Sequence, residues 1–219
     1  MDFRPLNKIT ISDPYSIPRM EQVIHRVAGK SFYSTLDLAL GFWQIPLERK
    51  SAHKCGIITE WGLFEMTRLS FGLKNTPSIF QRVMDKLLKD MENVTAYIDD
   101  MLVHSEDFES HIEALNNVFN RLEKAGSKLK GKKCKFFESK CIYLGHEITK
   151  ECYKPSPSNC EAIKNFPTPS NVKEVKRFLG LTSLFRKFIS NFATIAWPLN
   201  DLTRGKEKIQ MGRKSRKCF

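Results

Sequence analysis

Residues 94–103 read Val-Thr-Ala-Tyr-Ile-Asp-Asp-Met-Leu-Val, two short apolar runs joined through Asp99-Asp100. The β-formers on either side predict strands over Val94–Ile98 and Met101–Val103, folded as a hairpin about the two acids. Taken alone, such a pair is most simply a polar turn, because aspartate is a favoured turn residue. A third acid changes the weighing. Asp37 lies in Leu36-Asp37-Leu38, inside a strand-like run from Phe32 to Leu38. A carboxylate buried there without a partner would be costly, so it needs a cation. With the Asp37 strand beside the hairpin, the carboxylates would converge, repel one another and offer hard oxygen ligands to divalent ions, as magnesium prefers. Consecutive strand residues face opposite ways, whereas a tight turn presents Asp99 and Asp100 near one site.

Outward from the hairpin, apolar spacing predicts a helix over residues 16–28, with Ser16 as cap, Pro18 in its first turn and Gly29 as its stop. Phe32 to Leu38 is a strand, and Gly41 to Leu47 follows as a turn. Gly56–Glu60 and Leu63–Arg68 flank Trp61-Gly62 as a hairpin. Thr76-Pro77 supplies a cap and a first-turn proline for a helix whose apolar face includes Phe80, Met84 and Leu88. A further helix carries Phe108, Ile112, Leu115, Val118 and Leu122 and stops at Gly126. Strands are expected at Cys134–Phe137 and Cys141–His146. The fold class is therefore α+β.

Pro155, Pro157, Pro167 and Pro169 bracket a short helix around Ala162-Ile163 and place a boundary near residue 150. Beyond it, Asn171 and Glu174 open a capping-box-like helix whose stripe runs from Val172 to Ile189. Residues 206–219 read as a basic tail.

The 219 residues carry a net charge of +12. Residues 1–120 hold 13 Lys and Arg against 16 Asp and Glu, and residues 121–219 hold 23 against 8. The basic half suits a polyanionic partner such as nucleic acid, or is a solvated lysine-rich surface. Hydrophobic residues at 41% and charged residues at 27% exclude disordered, collagen-like and coiled-coil classes. No apolar run approaches the roughly 20 residues of a membrane span, and the start lacks a signal peptide's apolar core, so an intracellular protein with no membrane partner is expected. The six cysteines form no Cys-x-x-Cys pair and are expected to be reduced. Cys134, Cys141, His146 and Cys152 do not make a zinc knuckle, since six residues separate the first two where knuckles have two.

Five strings stand in order: Leu36-Asp37-Leu38 with Gly41-Phe42-Trp43-Gln44-Ile45; Phe71-Gly72-Leu73; Pro77 with Phe80-Gln81; Tyr97-Ile98-Asp99-Asp100; and Tyr143-Leu144-Gly145-His146. Together they resemble a reverse transcriptase of gypsy-type long-terminal-repeat retrotransposons. The opening Asp2-Phe3-Arg4-Pro5-Leu6-Asn7 and the segment Asn171–Leu181 resemble the same family. The resemblance implies a right-hand polymerase, with residues 1–150 as fingers and palm and 151–205 as a small helical thumb- or connection-like unit. It implies Asp37, Asp99 and Asp100 as the catalytic metal ligands, for Mg²⁺ with Mn²⁺ as the alternative.

By the same resemblance Phe42 is the gate beneath the incoming sugar, or equally a core aromatic. Gly72 and Gln81 lie near the templating base and the incoming nucleotide, or are a turn glycine and a solvated polar residue. Lys133 accompanies the departing pyrophosphate, or belongs with Lys128, Lys130, Lys132 and Lys135 to a phosphate-binding or solvated run. Leu144, Gly145 and His146 form the primer grip, or an ordinary strand end. Lys173, Lys176, Arg177, Arg186 and Lys187 are candidates to track a duplex backbone. The implied partners are a primed RNA or DNA template and deoxynucleoside triphosphates (dNTPs).

The chain departs from the family pattern in several places. Ala39 and Leu40 stand where a basic residue and serine are usual, Trp43 where histidine is common, Ser70 where proline is usual, and Gln210-Met211 where Gln-Trp is usual. The family's triphosphate-binding basic residues would precede Asp2, so an N-terminally truncated polymerase fragment is expected, with a non-catalytic nucleic-acid-binding remnant as the alternative.

Overall fold

The computed structural model describes residues 2–204. Helices α1 (Arg4–Ile9) and α2 (Met20–Val27) precede strand β1 (Phe32–Asp37). A 3-10 turn over Gly41–Gln44 and the one-turn helix α3 (Arg49–Ala52) lead to strands β2 (Gly56–Thr59) and β3 (Gly62–Glu65). Helix α4 (Thr76–Leu87), strands β4 (Val94–Tyr97) and β5 (Asp100–Ser105), and helix α5 (Phe108–Lys124) come next. Strands β6 (Lys135–Glu138), β7 (Lys140–Tyr143), β8 (His146–Thr149) and β9 (Tyr153–Pro155) precede helices α6 (Pro157–Lys164), α7 (Val172–Ser183) and α8 (Phe192–Leu202). This is the expected α+β class. Two compact units divide it, one of residues 2–144 and 148–153, the other of 145–147 and 154–204. The expected tail at 206–219, with Gln210, Met211 and Cys218, lies outside the described residues.

In the first unit, β4-β5-β1-β6 form a four-stranded sheet in that order, every pairing antiparallel. Successive strand residues face opposite ways, and both faces are covered. Leu36, Met101 and Val103 pack with Phe80 and Met84 of α4 and Leu115 and Val118 of α5. On the other face Tyr33 and Leu102 pack with Val23, Ile24 and Val27 of α2 and with Ile148. This two-sided burial is why residues 101–105 of β5 are all buried.

A buried polar network ties α5 to the sheet. His111, with no exposed surface, meets Ser34 Oγ through Nε2 at 2.7 Å and Ser105 Oγ through Nδ1 at 2.9 Å. Ser105 donates its hydroxyl to Asp107 O, so it accepts from His111 Nδ1–H. His111 Nε2 then accepts from Ser34, whose oxygen accepts from the Phe137 N–H. Burial lowers the His111 pKa and keeps this neutral tautomer.

The second unit has its own small core of Val175, Phe178 and Leu199, joined by Ile163 and Phe166. Asn171 caps α7 through Oδ1, which accepts from the Glu174 N–H at 3.0 Å.

Several boundaries differ from the sequence reading; the strand expected over Cys141–His146, for one, ends at Tyr143. Helix α2 begins at Met20, not near Ser16, because Pro18 biases Ile17 away from helical backbone. Thr76 lies inside α4 and does not cap it; its hydroxyl is spent on Ser70 O, 2.9 Å away. The α7 stripe stops at Ser183, where the Phe185 N–H bonds Thr182 O and tightens the chain into a 3-10 turn. Strands β8 and β9 are too short, and Pro198 too strong a helix-breaking signal within α8, for sequence pattern to have found these elements.

Replacing His111 by leucine leaves Ser34 without its acceptor and Ser105 without its donor. The expected cost is about 2 kcal/mol of unfolding free energy, read from urea melts at neutral pH.

Candidate active site

The pairing of β1 with β5 sets Asp37 opposite Asp100. Both close the same rows as Thr35 and Leu102, so both belong to the sheet face that carries Tyr33. A cleft of about 240 Å³ opens there, lined by Asp37, Asp100, Lys133, Tyr143 and Leu144 among others. A larger cavity of about 710 Å³, lined by Arg26, Asp85 and Glu92, contains none of the three acids.

Asp37 finds its cation in Lys133, whose Nζ lies 3.2 Å from Oδ2. Asp99, in the turn between β4 and β5, is held against Gly41. A Cβ on Gly41 would stand 2.8 Å from Asp99 Cγ, so only glycine leaves room for that carboxylate. The Tyr143 hydroxyl donates to Asp100 O at 3.2 Å. The surrounding backbone is strained: Leu40, Ile98 and Leu144 have φ of 55°, 53° and 47°, in the left-handed region that side chains disfavour.

Burial pushes the Asp99 carboxyl above its ordinary value, with Asp100 and then Asp37 adding like-charge repulsion. Asp100 is exposed as a residue, yet its carboxyl is raised too, first by partial desolvation and then by Asp37, with Lys133 opposing. Among the described residues no three His, Cys, Asp or Glu side chains stand as a finished metal cage. The donor set still suits a hard divalent ion, because Asp99 Oδ1 is buried with no hydrogen-bond partner and repelling carboxylates surround it.

The other expected residues are placed unevenly. Phe42 is buried and packs on Phe71 and Phe80, with ring centroids 4.9 and 5.1 Å away. Gly72 has φ 87° in a turn, and its carbonyl accepts from Asn7 Nδ2 at 2.7 Å. Gln81 has no exposed surface, so it does not lie on a solvated face. Its Oε1 instead accepts from the Ile98 N–H at 2.7 Å. In the second unit, Gly145 O accepts from Asn159 Nδ2 at 2.9 Å, and the His146 ring lies 5.5 Å from Phe185 and 5.8 Å from Phe188. Sequence reasoning missed the supporting parts: the space at Gly41, the left-handed Ile98 and the inward Gln81. Only Gly41 carried a signal, a glycine directly before the aromatic run.

An antiparallel sheet with one acid on a central strand and two more at an adjoining hairpin turn has the architecture of a polymerase palm. Residues 1–148 match the family described as reverse transcriptase (RNA-dependent DNA polymerase), and the chain belongs to that family. It is 38% identical over 211 residues to the retrovirus-related Pol polyprotein from transposon 297 of Drosophila melanogaster, covering 95% of this chain and 20% of that protein. The polyprotein from transposon opus of the same species is 40% identical over 207 residues, with 94% and 21% covered. The chain thus spans about a fifth of the length of these curated relatives. Among solved structures, the foamy viral protease-reverse transcriptase in complex with double-stranded DNA gives a TM-score of 0.94 at 27% identity, covering 99% of this chain and 39% of that one. The same viral protein with an RNA/DNA hybrid gives 0.91 at 27% identity, with 99% and 30% covered.

Two stability outcomes follow from the Asp99 environment. A native carboxyl pKa above the ordinary 3.8 means the folded state binds protons more readily, so this group's contribution to stability falls as pH rises through that window. Without divalent ions at neutral pH, Asp99→Asn is expected to melt at higher temperature than the parent, the gap closing as pH is lowered towards 3.8. Gly41→Ala is expected to cost about 1–3 kcal/mol in urea melts, the Cβ displacing the Asp99 carboxylate.

Proposed function

We propose that this chain supplies the polymerising part of an RNA-directed DNA polymerase, extending a primer with dNTPs on an RNA or DNA template. The observation that carries this is the meeting of Asp37 and Asp100 across one strand pair, with a buried, unpartnered Asp99 oxygen beside them. In the reaction the primer 3′-oxygen forms a bond to the α-phosphorus, the bond to the bridging oxygen breaks, and pyrophosphate leaves. Asp37, Asp99 and Asp100 would hold Mg²⁺, or Mn²⁺ in its place. Two such ions supply charge neutralisation and a more acidic 3′-hydroxyl.

The remaining roles belong to the chain's own side chains. Lys133, 3.2 Å from Asp37, is placed to release that carboxylate and turn its charge to the leaving phosphates. Phe42, fixed between Phe71 and Phe80, is a rigid floor for the sugar and excludes a 2′-hydroxyl by bulk. Gly72 lets the backbone approach the templating pair closely. Leu144, Gly145 and His146 grip the primer. Residues 1–150 act as fingers and palm, and 151–205 as the thumb- or connection-like unit, whose exposed Lys173, Lys176, Arg177, Arg186 and Lys187 follow the duplex phosphates.

A second reading, nucleic-acid binding without catalysis, is favoured by the Lys133–Asp37 ion pair, which occupies a ligand oxygen. Primer extension separates the two. Purified chain with primed template, dNTPs and Mg²⁺ is expected to extend the primer, and Asp99→Asn to lose on the order of 10²–10³-fold in rate while retaining template affinity. Binding with no extension in either Mg²⁺ or Mn²⁺, and no difference in the Asn variant, overturns the catalytic reading.

A further inference from the structure

We infer that Gln81 is a positioning residue for the catalytic turn, holding the left-handed Ile98 backbone from within the fold, and that Asp85 reinforces the orientation of its amide. The inference rests on Asp99 and Asp100 being the reacting centre.

Gln81 lies on α4 with no exposed surface and spends its whole side chain on the hairpin and its own helix. Oε1 accepts from the Ile98 N–H at 2.7 Å, and Nε2 donates to Ala96 O at 3.0 Å and to Asp85 Oδ1 at 2.9 Å. One amide thus grips the hairpin on two backbone groups, two residues apart, directly before Asp99. Ala96 O and the Asp85 carboxylate both only accept, so both face Nε2, which leaves Oε1 for the Ile98 N–H. Asp85 in turn accepts from the Tyr15 hydroxyl.

Ile98 needs such a clamp. It is β-branched with φ 53°, a backbone state that its Cβ disfavours and that neighbouring structure must impose. Relaxing it to an ordinary backbone would swing the next two residues, Asp99 out of its place against Gly41 and Asp100 out of register with Asp37.

The test compares Gln81→Leu, the milder Asp85→Asn, and Gln81→Leu combined with Ile98→Gly. Single-nucleotide addition is measured beside thermal melts, Mn²⁺ binding and hydrogen exchange at the residue 98 amide. Gln81→Leu is expected to lower kcat about 100-fold, with the dNTP KM and template affinity within about threefold of the parent. Asp85→Asn is expected to lower kcat severalfold, because the charged acceptor that supports Nε2 is lost and Ala96 O and the Ile98 N–H alone orient the amide. Adding Ile98→Gly is expected to restore about tenfold of the lost kcat, since glycine takes positive φ without a Cβ penalty.

Gln81→Leu should also weaken Mn²⁺ binding and lose most protection of the Ile98 amide, at temperatures where the melts show it folded. Unchanged protection and Mn²⁺ binding in folded Gln81→Leu, or in Asp85→Asn should the leucine variant not fold, overturn the inference. An inactive parent would sink the polymerase reading instead, and the Ile98 amide and Mn²⁺ readouts would still decide the role of Gln81.

Discussion

The site depends on the register between β1 and β5. Side chains alternate along a strand, so a slip of one residue would send Asp37 to the opposite face from Asp100 and separate the acids. Two constraints hold that register. Both sheet faces are buried against different partners, so a slip would send Leu36 and Tyr33 each into the core packed for the other and leave Ser34 and Thr35 in the wrong ones. The buried His111 also reaches Ser34 on one strand and Ser105 on the other, a polar contact that only one alignment satisfies.

That register gathers groups that repel one another, and the surrounding structure absorbs the conflict. Lys133 neutralises Asp37, Gly41 makes space for the Asp99 carboxylate, and Asp99 and Asp100 respond with raised pKa values. Left-handed backbone occurs at Leu144, which lines the cleft, and at Leu40 and Ile98, directly before Gly41 and Asp99 respectively. Repelling carboxylates, a glycine that makes room for one of them and raised carboxyl pKa values together at one end of the sheet are the physical signature of a site organised around charge.

How far the sequence speaks differs from element to element. The hairpin about Asp99-Asp100 and the strand bearing Asp37 were legible because β-branched and aromatic runs flank acids that an ordinary strand would not bury. Helix α5 was legible through its apolar spacing and Gly126. The start of α2, the end of α7 and all of α8 were not, because proline signals and a local backbone turn decide those boundaries. Gln81 shows the deeper limit. On α4 it reads as one more polar residue, and its value comes from an unpaired N–H that appears only once Ile98 takes its left-handed turn.

Among the described residues, the departures from the family pattern at Leu40, Trp43 and Ser70 fall where side chains carry little of this load. Leu40 is 68% exposed and Trp43 45%, so what they contribute near the site is backbone: a left-handed step and a 3-10 turn that bring Gly41 under Asp99. Ser70 is buried, yet the bond it makes there is through its carbonyl, which accepts from Thr76 Oγ1 and which any residue, proline included, would offer. A fold shared at a TM-score of 0.94 with only 27% identity is what such a division predicts. The side chains on which the site itself depends are those where a carboxylate, a missing Cβ or an inward amide does something the backbone cannot.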